Sequence, residues 1–255
     1  MYVTRKDDFH MNCKSKKRIL LKISGEALSK GAKGTYNFDI VKDFARAVKK
    51  CTDSGFEVAI VSGAGNIWRG RQGTDMDPSR ADHMGMVATV INSLAIADFL
   101  EQTGVPACVM SAFPVGSFCE LYSKDAAVKA LESGKVVIIA GGSGNPFFST
   151  DTAAVLRAAE IGADMTLFAK NVSYIYNRDP GVESDEPLFR YKYLSFTDVL
   201  DKKLTAIDIT ATAFCLANDI TIHVFGINDM DNIVRTANGE ELGTVVYGGE
   251  TVIME

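Results

Sequence analysis

Three observations predict an α/β fold with a mainly parallel central sheet. Apolar runs of strand length alternate with helical patterns from Arg18 to the C-terminus, an order that builds βα units. No Pro/Gly/Ser-rich linker, internal repeat or low-complexity stretch interrupts the alternation, so a polar leader (1–17) is followed by a single domain (18–255). Several strands stop in glycines and restart as helices, which is how parallel strands are joined across one edge of a sheet.

The first strand is Arg18 to Ile23 (RILLKI), and it meets Ser24-Gly25-Glu26. Its single lysine, Lys22, has two readings. It is either a strand-end residue whose ammonium reaches water, or a cation fixed beside a glycine turn and ready to neutralise phosphate. A polar glycine loop, Gly31 to Asn37, precedes a helix capped by Asp39, with Ile40, Val41, Phe44, Ala47, Val48 and Cys51 on one face and Gly55 as its stop. The strand Glu57 to Ser62 runs into GAGNIWRG. Its small residues, Gly63, Ala64 and Gly65, let a ligand approach the backbone, and Arg69 offers a two-pronged phosphate contact or an ordinary surface cation. The spacing is not the dinucleotide GxGxxG.

A helical pattern from about Asp82 to Thr103 is apolar on nearly all sides, which predicts burial between other elements. Asp82 at its start would cap it or accept from a sugar hydroxyl. Further elements are a strand at Ala107 to Met110, a helix at Lys124 to Ser133, and strands at Val136 to Ala140 and Asp164 to Ala169. Helices at Phe196 to Lys203, Asp208 to Asn218 and Met230 to Ala237 follow, with strands at Thr221 to Gly226 and Gly243 to Tyr247. Between them, Tyr174, Tyr176 and Asp179-Pro180 form an extended segment that would lie over a flat ring or pair as an edge strand.

The richest stretch is Gly141 to Asp151, GGSGNPFFSTD, between a buried strand and an amphipathic helix. A capped turn needs only some of these residues. Glycines, two phenylalanines and a Ser/Thr/Asp cluster together describe a loop that offers backbone N–H groups and hydroxyls to a ligand. Lys22, residues 63–69, residues 141–150 and Lys170 all follow strands, so one sheet edge would collect them.

Composition narrows the chemistry. With 255 residues, 47% hydrophobic and 23% charged, the chain can bury a full core. A net charge of −5 gives no general basic surface, so nucleic-acid binding is not expected. The five cysteines show no CxxC spacing, which suits a reducing compartment and predicts a cytoplasmic protein. There is no secretory h-region, and no run of about 18 apolar residues predicts a membrane span. Met11 offers an alternative start. Three glycine or phosphate-type loops with Lys22, Arg69 and Lys170 suit two nucleotides meeting end to end, and phosphoryl transfer needs such positioning and neutralisation more than a covalent residue. There is no GxxxxGK[ST], protein-kinase HRD or DFG, GxSxG or HExxH. His10, His83 and His223 form no zinc cluster, so no protein metal site is expected; Mg2+ would arrive on ATP, held by phosphates and water.

The segments RILLKISGEAL, VSGAGNIWRG, DHMGMVATVINSLAIAD, GGSGNPFFSTDTAA and YNRDP, in this order, resemble the bacterial UMP kinases of the amino-acid kinase superfamily. The resemblance runs from Arg18 to the C-terminus. It implies a three-layer αβα sandwich (the carbamate kinase-like fold), a cytoplasmic homohexamer, and transfer from Mg·ATP to UMP in pyrimidine nucleotide synthesis. The N-terminal part would serve mainly UMP and the C-terminal part mainly ATP.

Carried over, Lys22, Ser24 and Gly25 would hold ATP phosphates, with Lys22 and Arg69 catalytic. Gly65 and Arg69 would serve the phosphate junction, and Lys170, Tyr176 and Asp179 the ATP base and ribose. Ala64 and Asp82 would contact UMP, and Ser143, Gly144, Asn145, Pro146, Phe147, Phe148, Ser149 and Thr150 would form its pocket. Asp151, Asp164 and Asp208 fall on acidic family positions.

Three departures stand out. Ala64 replaces a glycine, Ser173-Tyr174 replaces an Asp-Gly, and the loop Gly31 to Asn37, where some relatives take GTP as activator, differs in length and sequence. Regulation by GTP or by UTP as inhibitor therefore stays open. The competing reading is a non-catalytic nucleotide-storage or sensor protein on the same fold.

Overall fold

A computed structural model describes residues 17–68, 75–183, 185 and 187–254. Its strands are β1 (Arg18–Ile23), β2 (Glu57–Ser62), β3 (Ala107–Ser111), β4 (Glu120–Leu121), β5 (Val136–Ala140), β6 (Met165–Lys170), β7 (Arg190–Ser195), β8 (Ile222–Gly226), β9 (Thr244–Tyr247) and β10 (Val252–Met254). The helices are α1 (Gly25–Ser29), α2 (Phe38–Asp53), α3 (Pro78–Gln102), α4 (Lys124–Glu132), α5 (Thr150–Ile161), α6 (Phe196–Asp201), α7 (Ile209–Asn218) and α8 (Asn232–Ala237). The strands form one sheet in the order β10-β7-β9-β8-β6-β1-β2-β5-β3-β4.

The sheet is mainly parallel, as its helix-linked strands require. The exceptions are the pairs β8/β9 and β7/β10, which are antiparallel. Strand β1 lies between β2 and β6. Later strands of the N-terminal half extend the sheet one way from β1, and those of the C-terminal half extend it the other way. A crevice opens at such a reversal beyond the strand ends, here beside Ile23, Ser62 and Lys170.

Side chains that alternate along each strand feed two cores. Ile19, Leu21 and Ile23 of β1 join residues of α1, α2, α3 and α8 on one face. Leu20 joins residues of α4, α5, α6 and α7 on the other. The result is three layers, helices on sheet on helices. Lys22 shares the face of Leu20, so β1 aims it at the α5 layer.

The structure corrects several expectations. Asn37, not Asp39, caps α2, its side chain accepting from Asp39 N at 3.2 Å. Helix α3 begins at Pro78, with Asp77 as cap, so Asp82 sits inside the helix rather than at its start. Nor is α3 enclosed: Met84, Val87, Ile91 and Leu94 are 42%, 51%, 47% and 39% exposed, while Ala88, Asn92, Ile96 and Leu100 are buried. By length and composition alone α3 is long and apolar enough to cross a membrane, a test that the core helix of a soluble protein also passes. Within the fold its inner face packs on β3, β5 and α2. The segment at Tyr176 makes one antiparallel bridge to Arg190, the edge-strand alternative. The leader up to Lys16, with Met11, and Arg69 lie outside the described residues.

Candidate functional site

Strands β1 and β6 are neighbours, with Lys22 in register with Phe168 and Ile23 with Ala169. Lys170 therefore ends beside Lys22. Each ammonium is near the Phe168 ring, 5.7 Å and 5.5 Å from its centre. Asp151, in the first turn of α5, stands between them: Lys22 Nζ is 2.6 Å from its Oδ1 and Lys170 Nζ is 2.8 Å from its Oδ2. Lys170 Nζ also donates to the Ala206 carbonyl at 2.6 Å. Lys22 is only 5% exposed, which removes the reading of a lysine that reaches water.

Burial alone would raise the Asp151 carboxyl; the Lys22 and Lys170 charges outweigh it and hold the group at about 2. Burial pulls Lys170 below the ordinary lysine value, against the attraction of Asp151. Two cations share one anion here, so the cluster carries a net positive charge next to the crevice. An anion arriving there meets ammonium groups already fixed in place.

Glycines let the neighbouring backbone close in. A side chain at Gly25 would place its Cβ 2.4 Å from Asn66 Oδ1, 2.7 Å from Gly63 O and 2.7 Å from Gly65 N. The turn after β1 and the turn after β2 thus touch main chain to main chain. Asn92 on α3 fixes the second turn, donating to Gly63 O at 2.7 Å and to Asn66 Oδ1 at 2.9 Å, while Tyr36 Oη donates to Asn92 Oδ1 at 2.6 Å. The Ser24 hydroxyl is buried with no partner in the fold, an arrangement that costs stability unless something else binds it. Gly25→Ala is expected to cost about 1–3 kcal/mol by overpacking and to lower activity by separating the two turns. Thermal denaturation together with turnover would check it.

After β5, residues 141–149 arch over the sheet edge. Gly141, Gly142 and Gly144 have φ of 79°, 62° and 89°, and Phe147 takes 70°. Gly141 N donates to Thr89 Oγ1 at 2.8 Å, and Phe147 N donates to Asp82 Oδ2 at 2.7 Å. Asp82 thus ties the loop to α3. The Ser149 side chain caps α5, accepting from Asp151 N and Thr152 N. The Ser149 hydroxyl also donates to Asp208, the cap of α7, as does Thr152 Oγ1 at 3.0 Å.

Between loop and α3 is a cleft of about 120 Å3 whose lining includes Ala64, Asp82, Thr89, Ser143, Asn145 and Phe148. Thr150 lines it too, and Thr150 Oγ1 lies 3.5 Å from the Cβ position of Gly63, which joins the cleft to the glycine turns. Gly144, Pro146, Phe147 and Ser149 shape the loop without lining the cleft. Asp164 is elsewhere, accepting from Arg18 N at the opposite end of β1. Tyr176 and Asp179 lie on the chain after β6 and do not border the cleft; Asp179 Oδ1 accepts from Gly181 N at 2.8 Å. Close to them is a second, open cleft of about 510 Å3 lined by Arg178, Pro180, Gly181, Val182, Glu183 and Asp185.

Among the described residues no group of three or more His, Cys, Asp or Glu side chains could hold a metal ion. Burial pushes the Cys51 and Cys215 thiols up to about 12, so neither is a ready nucleophile. What the arrangement can do is hold and neutralise a polyphosphate beside a small cleft. Sequence reading named the two lysines and the loop, but it left Asp151 without a role and did not single out Asn92.

The model of the amino acid kinase family matches residues 17–226. Among solved structures, a UMP kinase from Bacillus anthracis is 31% identical with a TM-score of 0.89, covering 95% of this chain and 100% of that one. A UMP kinase from Ureaplasma parvum is 35% identical with a TM-score of 0.85, covering 92% and 100%. A uridylate kinase from Archaeoglobus fulgidus, 22% identical with a TM-score of 0.67 over 89% and 99%, shares the fold.

Proposed function

The chain belongs to the amino acid kinase family, and on that premise we propose that it acts as a UMP kinase, moving the γ-phosphoryl group of Mg·ATP onto UMP to give UDP and ADP. The observation that carries the reading is the Lys22–Asp151–Lys170 cluster at the strand reversal, with the glycine loop and its cleft beside it. Donor and acceptor phosphates meeting there would lie against Lys22, whose charge counts most as negative charge spreads over the transferring group. Ser24 and Gly25 would receive the donor phosphates, the unpartnered Ser24 hydroxyl finding its acceptor in them.

Lys170, Tyr176 and Asp179 would face the rest of ATP, and Gly65 and Arg69 the junction. The acceptor would occupy the cleft under residues 143–150, with Ala64 and Asp82 at its wall. The Asp151 and Asp208 carboxylates are already engaged by lysines and hydroxyls, so magnesium would enter on the triphosphate, held by phosphate oxygens and water. The acceptor phosphate, with a second pKa of about 6, is already largely ionised at neutral pH, so transfer to it needs no general base.

The exposed stripe Met84, Val87, Ile91 and Leu94 on α3 supports self-association, and the homohexamer is the assembly we propose. Light scattering at micromolar concentration would read its mass. The free thiols of Cys51, Cys108, Cys119 and Cys215 favour a cytoplasmic setting. No observation favours the storage or sensor alternative.

The test is ADP release from Mg·ATP with UMP, CMP, dUMP, AMP and carboxylate acceptors in parallel, with and without GTP and UTP. Strong turnover on UMP supports the proposal. Turnover only on another acceptor moves the specificity, and silence on all of them overturns the enzyme reading.

A further inference from the structure

Arg157 lies further along α5 from Asp151, beneath the loop, and its side chain is only 7% exposed. One guanidinium nitrogen, Nη1, donates to Glu160 Oε2 at 2.7 Å. The other, Nη2, reaches two backbone carbonyls of the loop, Gly142 O at 3.4 Å and Ser143 O at 3.3 Å. The guanidinium carbon stands 4.2 Å from the centre of the Tyr122 ring, and Tyr122 Oη donates to the same Glu160 oxygen at 2.7 Å. Nε is buried without a partner.

As a stabilising device this is a poor one. A buried cation with one unmet donor is less favourable than a well-packed apolar side chain of similar volume. What the guanidinium alone achieves is to hold two successive carbonyls of a glycine loop on one side. Across a trans peptide the C=O and the following N–H point in opposite directions. Drawing Gly142 O toward α5 therefore turns Ser143 N–H away from it, at a point where both residues border the cleft. Gly144 N is already spent on Gly141 O at 3.1 Å.

Resting on the UMP kinase reading, we infer that Arg157 is a positioning residue for base selection: it fixes the Gly142–Ser143 peptides so that the loop presents an N–H donor to a carbonyl of the acceptor base. A uracil carbonyl accepts from that donor. Cytosine places an amino group at the equivalent position, and two donors then face each other, which is the kind of mismatch that discriminates strongly.

The experiment is steady-state kinetics of the full chain with Mg·ATP and either UMP or CMP, for wild type, Arg157→Lys, Arg157→Met and Tyr122→Phe, alongside thermal denaturation. Lysine keeps the charge but cannot reach Glu160 and both carbonyls at once. The expected result for both Arg157 variants is a rise of about ten-fold in KM for UMP and a similar fall in the UMP-to-CMP preference, with kcat and the KM for ATP nearly unchanged. Tyr122→Phe removes only the hydroxyl contact to Glu160 and should keep the preference.

An unchanged preference in Arg157→Lys overturns the inference. So does a fall of kcat and melting temperature together with a rise of both KM values, which marks a merely structural role. If Arg157→Met does not fold, Arg157→Lys decides. Failure of the wild type on UMP overturns the acceptor assignment itself and this inference with it, an outcome distinct from a wild type that works and variants that select equally well.

Discussion

Lys22→Ala lowers kcat for phosphoryl transfer by about 10²–10³-fold, the usual effect of deleting one preorganised charge from a transition-state site. The KM for UMP changes little, because the cleft under residues 143–150 does not include Lys22. Folding is affected as well, since Lys22 is buried against Asp151. Asp151 keeps Lys170, so the variant should fold with a lowered melting temperature. Quenched-flow or coupled ADP assays at saturating UMP separate the terms, and a kcat within three-fold of wild type, on the scale of that expected loss, would remove Lys22 from catalysis.

The second large effect is Asp151→Ala. Its carboxylate is the common partner of Lys22 and Lys170, and without it two buried ammonium groups face each other. Breaking a buried pair by deleting one partner costs about 3–5 kcal/mol, and the lysines would also lose the geometry that aims them at phosphate. Acid unfolding gives an independent reading. The folded-state value of Asp151 is about 2, below the ordinary aspartate value of 3.8, so its stabilisation is full above 3.8 and lost as the pH falls toward 2. In Asp151→Asn that part of the acid transition should vanish. An unaltered acid limb would show that the lysine pair does not hold the carboxylate.

How much of this was legible in the sequence depends on how local each cause is. Strands β1, β2 and β5 read directly because each is a continuous apolar run, and the loop at residues 141–149 because its glycines and hydroxyls are concentrated. Strand β7, RYKYLS, was missed because its polar and aromatic residues carry no clear alternation, and β4 and β10 because two and three residues leave no period to detect. The start of α3 was missed although Asp77-Pro78 is an ordinary cap-and-first-turn pair; the apolar run after Asp82 drew the boundary instead. The burial of Lys22 is set by strand register with β6, far away in sequence, and no local pattern encodes it. Arg157 looks like any helix-surface cation until α5 is laid beneath the loop.

The placement of β1 has a consequence for synthesis. Arg18 N donates to Asp164 Oδ2 across 146 residues of chain, and β1 pairs with β6 along its whole length thereafter. Strand β1, made before the other described strands, therefore cannot complete its pairing until the chain has grown past β6, and ribosomes need some seconds for that stretch at about 5–20 residues per second. During that interval one edge of β1, with an apolar run behind it, stays open to wrong partners. Chaperone dependence and slow refolding are thus expected to track truncation: chains ending before β6 should aggregate, while those extending through β8 should recover a protected β1 in hydrogen exchange.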